Sequence, residues 1–318
     1  MGFFQSKKIQ SLLIFIIAMV VILWIFKDNL LNFSIKNKSN QRIEFITNID
    51  KENPYFEKIE GFVVNEYSPE EKILYTLDAR EYYSYKESPI KLFVVEVKTY
   101  NENQEEGAIL SSKEAQILET SEIIFKGDVN IESLSGVFHE LQSESIVYNS
   151  EKGEISSNKK VLYQWVEAKI NSEGMLMSID NDEVLLRGAV IINQDPGILI
   201  ESSNLFINYS KGAKLYQSEE KSIYVSSENK ITAGSGVEID MEKNLTYLLG
   251  KVEIIENSGN KIFSSDLIVE NNGDKEIYKT DKPSEYISKQ SNIKANNMYY
   301  DVLSKKIDLT GKVFAVYE

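Results

Sequence analysis

NSEGMLMSIDNDEVLLRGAVII, residues 171–192, is the stretch that decides the fold. Two runs with apolar residues at alternate positions flank the polar Asp180-Asn-Asp-Glu183, so it reads as strand, tight turn, strand. Its second run ends in an apolar-x-Gly-x-Val signature at Leu186, Gly188 and Val190. The same ending occurs in Phe125-Lys-Gly127-Asp-Val129, Leu248-Leu-Gly250-Lys-Val252 and Leu309-Thr-Gly311-Lys-Val313. Successive glycines are 61, 62 and 61 residues apart. A fixed period of this size marks one supersecondary unit used repeatedly, each copy burying a face that its neighbour exposes.

Other marks keep the same register. Gly153, Gly212 and Gly273 lie between strand-like runs, where a tight hairpin needs positive φ. Short polar turns precede three of the signatures, at Asp180-Asn-Asp-Glu183, Asp240-Met-Glu-Lys243 and Asp301-Val-Leu-Ser-Lys305. From Pro54 onward there is almost no helical periodicity. Leu92–Tyr100 reads as a strand, and Ile123–Ile131 alternates, with Ile123, Phe125, Val129 and Ile131 on one face and Lys126, Asp128 and Asn130 on the other. Tyr (18) and Phe (14) are plentiful while Pro (5) is scarce, which suits strands. The expected fold is all-β: antiparallel β-meanders of about 60 residues, repeated in tandem and elongated.

Before Pro54 the character changes. Residues 12–26, LLIFIIAMVVILWIF, are unbroken apolar sequence between Lys7-Lys8 and Lys27-Asp28. Twelve of them are Leu, Ile, Val or Phe, which favours membrane insertion by about 4–7 kcal/mol. With Ile9 the run approaches the length needed to cross a bilayer as a helix. No small-x-small cleavage site follows, so it reads as an uncleaved anchor rather than a signal peptide. Lys7 and Lys8 on a very short tail point to an N-inside, C-outside topology. The expected division is therefore a tail at 1–8, a transmembrane helix at 9–26, a juxtamembrane linker at 27–53, and two β domains at 54–192 and 193–318.

Composition narrows the function classes. A net charge of −14 argues against nucleic acid, since phosphate binding needs clustered Lys and Arg. With no Cys there is neither a disulfide framework nor a thiolate metal site. Catalysis is not expected. His139, the one histidine, has no metal-ligating companion motif, and the 49 acidic residues single out no pair. Gly234-Ser-Gly236-Val237 lacks the Lys and helix of a phosphate loop and reads as a turn. No cofactor and no metal are expected. What remains is physical: a curled, unclosed sheet has an apolar interior, which is either a packed core or a groove for an apolar ligand. Its free edges are docking surfaces for further strands.

The anchor followed by Tyr75-Thr-Leu-Asp-Ala79, Ser111-Ser-Lys-Glu-Ala115-Gln-Ile and Phe125-Lys-Gly127-Asp-Val129 resembles the LptC family. Leu141-Gln-Ser-Glu-Ser-Ile146-Val-Tyr148, Gly174-Met175 and Leu186-Arg-Gly188-Ala-Val190 continue that likeness, which covers roughly residues 9–192. Residues 198–318 resemble an OstA/LptA-type β-jellyroll, through Ile200-Glu-Ser-Ser-Asn-Leu205 and Ala295-Asn-Asn-Met298-Tyr-Tyr300-Asp301. The resemblance implies open β-jellyrolls, here two in tandem where the usual family member has one. It implies a single-pass inner-membrane protein whose bulk lies in the periplasm and whose interior shelters the lipid A acyl chains of lipopolysaccharide. The implied partners are an inner-membrane ABC transporter and a soluble periplasmic bridge protein docked through an edge strand. The groove is expected on the signature-strand face, at Phe125, Val129, Ile131, Leu186, Val190, Ile192, Leu248, Val252 and Ile254. The alternative is a β-repeat structural or adhesive scaffold at the cell envelope with no lipid ligand.

Overall fold

A computed structural model describes residues 55–317, apart from 87–88, 102, 121, 134–139, 150, 165–167, 179–182, 195–196, 209–214 and 273–274. The expected anchor and linker, His139, Gly212, Gly273 and most of the turn at Asp180 lie outside the described residues. Among those described, no helix is long and apolar enough to cross a membrane.

The described chain is strand and turn, and every registered pairing is antiparallel. The first strands are long: β1 (Tyr55–Tyr67), β2 (Ile73–Tyr85), β3 (Ile90–Tyr100), β4 (Glu106–Ile117), β5 (Glu122–Ser133) and β6 (Glu140–Asn149). Short β7 (Glu154–Ser157) and β8 (Val161–Gln164) follow, then β9 (Ala168–Ser178), β10 (Glu183–Gln194) and β11 (Ile198–Asn208). Next come β12 (Leu215–Ser218), β13 (Ser222–Val225), β14 (Asn229–Ala233), β15 (Val237–Asp240), β16 (Leu245–Glu256) and β17 (Lys261–Asn272). The chain ends with β18 (Lys275–Thr280), β19 (Ser284–Ile287), β20 (Ser291–Ala295), β21 (Asn297–Asp301), β22 (Lys306–Thr310) and β23 (Phe314–Tyr317). It forms two compact units. One takes the described residues as far as 164 together with 176–178, and the other takes 168–175 and everything from 183 onward.

Long and short strands divide the work of the second unit. On one side β11 pairs with β10 along its length. On its other side Leu199–Glu201 pair with β13, whereas Phe206–Asn208 pair with β12. β16 is shared in the same way between β14 and β15, and β17 between β19 and β18. Each long strand therefore belongs to two half-sheets, and the short strands to one each.

A strand can serve both half-sheets only by bending, and the signature glycine supplies the bend. The register of β10 against β11 slips by one residue between Leu186 and Ala189. Gly188 there has φ +73° and the facing Asn204 has φ +52°. The Gly188 N–H donates to Asn204 Oδ1 at 3.0 Å, which holds the bulge shut. Gly250 (φ +75°) and Asp266 (φ +49°) repeat this on β16 and β17, with a 2.8 Å bond. In the first unit Gly127 and Asp128 both take positive φ at the slip between β5 and β6. A fifth copy of the signature, Ile59-Glu60-Gly61-Phe62-Val63, lies on β1 with Gly61 at φ +66°.

The bulge changes the burial pattern. The signature strand keeps its period through Leu186, Val190 and Ile192, but β11 buries Ile198, Ile200 and Ser202 and then Leu205 and Ile207. A one-residue slip normally turns a strand inside out. Here the slip falls at left-handed Asn204, so both halves keep their apolar side inward. The polar turns work as their sequence predicts: Asp240 Oδ1 accepts from the Lys243 N–H and Asp301 Oδ1 from the Ser304 N–H, both at 3.1 Å. The Lys243 side chain at Asp240 and the Ser304 amide at Asp301 hold those carboxyls below the usual carboxylate range.

Gly234-Ser-Gly236 is the break between β14 and β15, bonded to β16 at both ends through Gly234 N–H to Lys251 O (2.9 Å) and Leu249 N–H to Gly236 O (3.0 Å). A Cβ on Gly236 would lie 2.0 Å from Ser218 O, while one on Gly259 would meet nothing within 4 Å. Both glycines have positive φ, so both pay the backbone strain of a side chain and only Gly236 adds a clash. Gly236→Ala should lower the thermal unfolding midpoint by about 5 °C or more beyond Gly259→Ala, at about 2–4 °C per kcal/mol for a domain of this size. Equal shifts would contradict this account of the break.

Candidate functional site

The site is the apolar lining that each unit encloses. In the second unit it consists of two cross-strand ladders in which each residue stands directly opposite the next. The first ladder runs Ile192, Ile200, Tyr224, Ile231, Ile254, Ile262, Tyr286 and Ile293 across β10, β11, β13, β14, β16, β17, β19 and β20. The second, on the other half-sheet, runs Val184, Ile207, Tyr216, Ile239, Thr246, Val269, Tyr278 and Tyr300. Except for Tyr286 and Ile293, every member of the two is buried. The first unit has a similar row, Leu77, Val97, Leu110, Ile131, Leu141 and Tyr163, buried throughout.

All nine residues expected to line the interior are buried, each at most 7% exposed. Phe125, Val129 and Ile131 belong to the first unit, with Phe125 between Ala115 and Ile146 and Ile131 between Leu110 and Leu141. The other six belong to the second, where Ile192 and Ile254 stand in the first ladder. Leu186 faces Leu205, Leu248 faces Leu267, and Val190 and Val252 face Ser202 and Ser264 beside the bends. Asp128, expected on the outer face, is exposed and pairs there with Lys113 at 2.5 Å.

The sequence reading missed the polar groups of the interior. The hydroxyls of Tyr224 and Tyr278 both donate to Glu276 Oε1, at 2.8 and 2.9 Å. They accept in turn from Asn271 Nδ2 and Asn229 Nδ2, both at 3.1 Å. Burial, and next the charge of Glu276, pushes both phenols far above the usual tyrosine range, so they stay protonated and donate. A sequence signal existed: Tyr163, Tyr224 and Tyr286 are 61 and 62 residues apart, the period of the glycines. Among the described residues no group of His, Cys, Asp or Glu could hold a metal ion. The arrangement offers apolar surface and a few placed hydroxyls.

A family model described as "Lipopolysaccharide-assembly, LptC-related" matches residues 12–195 and 211–318. No curated protein matches the chain.

If the inward face carries the packing, its residues and their outward neighbours differ sharply in worth. Leu248 is fully buried and Ile255 is 38% exposed. Leu248→Ala should cost about 2–5 kcal/mol of unfolding free energy, the range for a buried leucine, against under about 1 kcal/mol for Ile255→Ala at a half-exposed position. Chemical denaturation measures both, and similar losses would refute the assignment of faces.

Proposed function

The chain belongs to the LptC-related family of lipopolysaccharide assembly, and from that premise we propose that it holds and passes the acyl chains of lipopolysaccharide along the apolar interior of its β units. The family acts in lipopolysaccharide transport at the cell envelope and is described by assembly rather than by a reaction. In our reading the chain is a single-pass inner-membrane protein, anchored by residues 9–26, with its bulk in the periplasm.

The observation that carries this reading is the pair of apolar ladders on facing half-sheets. An acyl chain of about a dozen methylenes costs roughly 10 kcal/mol to expose to water, at about 0.8 kcal/mol per CH₂. Two parallel apolar walls remove that cost without chemistry, and a repeat extends them by adding strands. Opening such an interior needs no new fold, because the half-sheets are joined through bent strands.

Edge strands support the expected partners. Among the described residues β1 is registered only with β2, and its Phe56, Val63 and Tyr67 are exposed. At the other end β22 is registered only with β21 and β23 only with β20, and Phe314, Val316 and Tyr317 of β23 are exposed. An edge with unpaired backbone and exposed apolar side chains is suited to accept a further strand. We assign β1 to the side of the membrane transporter, because it follows the anchor, and β23 to the soluble bridge protein. A second reading, a structural or adhesive scaffold without lipid, draws on the same burial, since the chain's own side chains fill the interior.

A photo-crosslinking residue separates the two readings. Placed at Val190 or Val252 it should capture lipopolysaccharide in cells, and placed at the outward Ile191 or Lys251 it should not. Equal capture at both sets, or capture at neither, favours the scaffold.

A further inference from the structure

We propose that the network centred on Glu276 is a latch, which ties the two walls of the C-terminal unit together and has to open before an acyl chain passes that level. The inference rests on the conduit reading above and adds a control point to it.

Strand pairing shows that the network spans the interior. Tyr224 and Asn229 lie on β13 and β14, which pair with β11, with each other and with β16. Asn271, Glu276 and Tyr278 lie on β17 and β18, on the half-sheet that continues to β21. No ladder joins β13 or β14 to β18, so the bonds from Tyr224 to Glu276 and from Asn229 to Tyr278 run from one wall to the other. Tyr224 stands in the first ladder between Ile200 and Ile231, and Tyr278 in the second between Val269 and Tyr300. The tie therefore crosses where the apolar surface is otherwise continuous. An ion pair between Lys305 and Glu228, at 3.6 Å, bridges the same two half-sheets at their exposed rim.

The chemistry makes the crossing selective. Each phenol donates to the same carboxylate oxygen and accepts from an amide, and the Tyr278 hydroxyl also meets Ser226 Oγ at 3.5 Å. A hydrocarbon chain has neither donor nor acceptor, so it cannot replace any of these bonds. Parting the walls around it takes both donors from the half-buried Glu276 and leaves two buried phenols without their acceptor, a costly state. Asn229 Oδ1, fully buried, has no hydrogen-bond partner, so the layer also holds an acceptor ready for a donor. One period earlier the residue at the Asn229 position is Ala168, which has no amide to donate.

The test uses the full chain in its membrane. Tyr224→Phe with Tyr278→Phe removes both donors and keeps both rings, while Glu276→Gln keeps an acceptor at the same place. Without lipid, hydrogen exchange in β13, β14 and β18 should rise about tenfold or more in the double variant, the scale of two lost hydrogen bonds, and change little in Glu276→Gln. With lipopolysaccharide present, a photo-crosslinker at Met298 should capture severalfold more in the double variant, while capture at Val190 stays as it is. Unchanged exchange, or equal capture at Val190 and Met298 in the parent chain, overturns the latch and leaves the conduit standing. Absence of capture at Val190 in every variant overturns the conduit, and the latch as a gate falls with it.

Discussion

The structure depends on one constraint: a long strand has to belong to two half-sheets, and an L-residue backbone in extended conformation cannot bend sharply enough without help. Gly188 and Gly250 give that help by entering the left-handed region, where a side chain costs about 1–2 kcal/mol. A side chain has no room there either, since a Cβ on Gly250 would fall 2.2 Å from Ser235 Oγ and one on Gly188 the same distance from Glu173 Oε2. The partner strand bends with an Asn or an Asp, whose side-chain oxygen takes the glycine N–H. The consequence reaches the interior. Because the long strands cross between half-sheets continuously, both walls share β10, β11, β16 and β17, and short strands complete each wall.

That geometry accounts for the kind of function the chain can carry. Ladders on two facing half-sheets make an apolar interior that lengthens with the number of repeats, and in the proposed reading this interior is the passage for acyl chains. Affinity along such a passage comes from apolar area and is insensitive to detail. Discrimination has to come from polar groups placed within it. In the C-terminal unit they include two phenols, two amides and one carboxylate linked in one network.

Much of the fold was legible because backbone necessity leaves a residue type behind. Only glycine fits the bends comfortably, so Gly127, Gly188 and Gly250 announced the repeat, and the even spacing of Leu186, Val190 and Ile192 announced the buried face. Gly61 shares the positive φ without a register slip beside it, and it escaped because it stands 66 residues before Gly127 and its neighbour Val63 is exposed on an edge strand. The partner strands were harder to read. Their burial slips by one residue at Asn204 and Asp266, so strict alternation across Ile200–Ile207 or Ile262–Val269 assigns half of each strand to the wrong face. The latch left no local pattern. Tyr224, Asn229, Asn271 and Glu276 are separated in sequence and meet only when one half-sheet faces the other, so periodicity showed the tyrosines and could not pair them with Glu276.

The central claim is that apolar walls inside the β units hold acyl chains. Competition binding to the full chain tests it most directly, with intact lipopolysaccharide as the ligand and either its deacylated form or free lipid A as the competitor. The account predicts that lipid A displaces lipopolysaccharide and that the deacylated sugar does not. Displacement by the sugar alone, or no saturable binding of lipopolysaccharide, would contradict it.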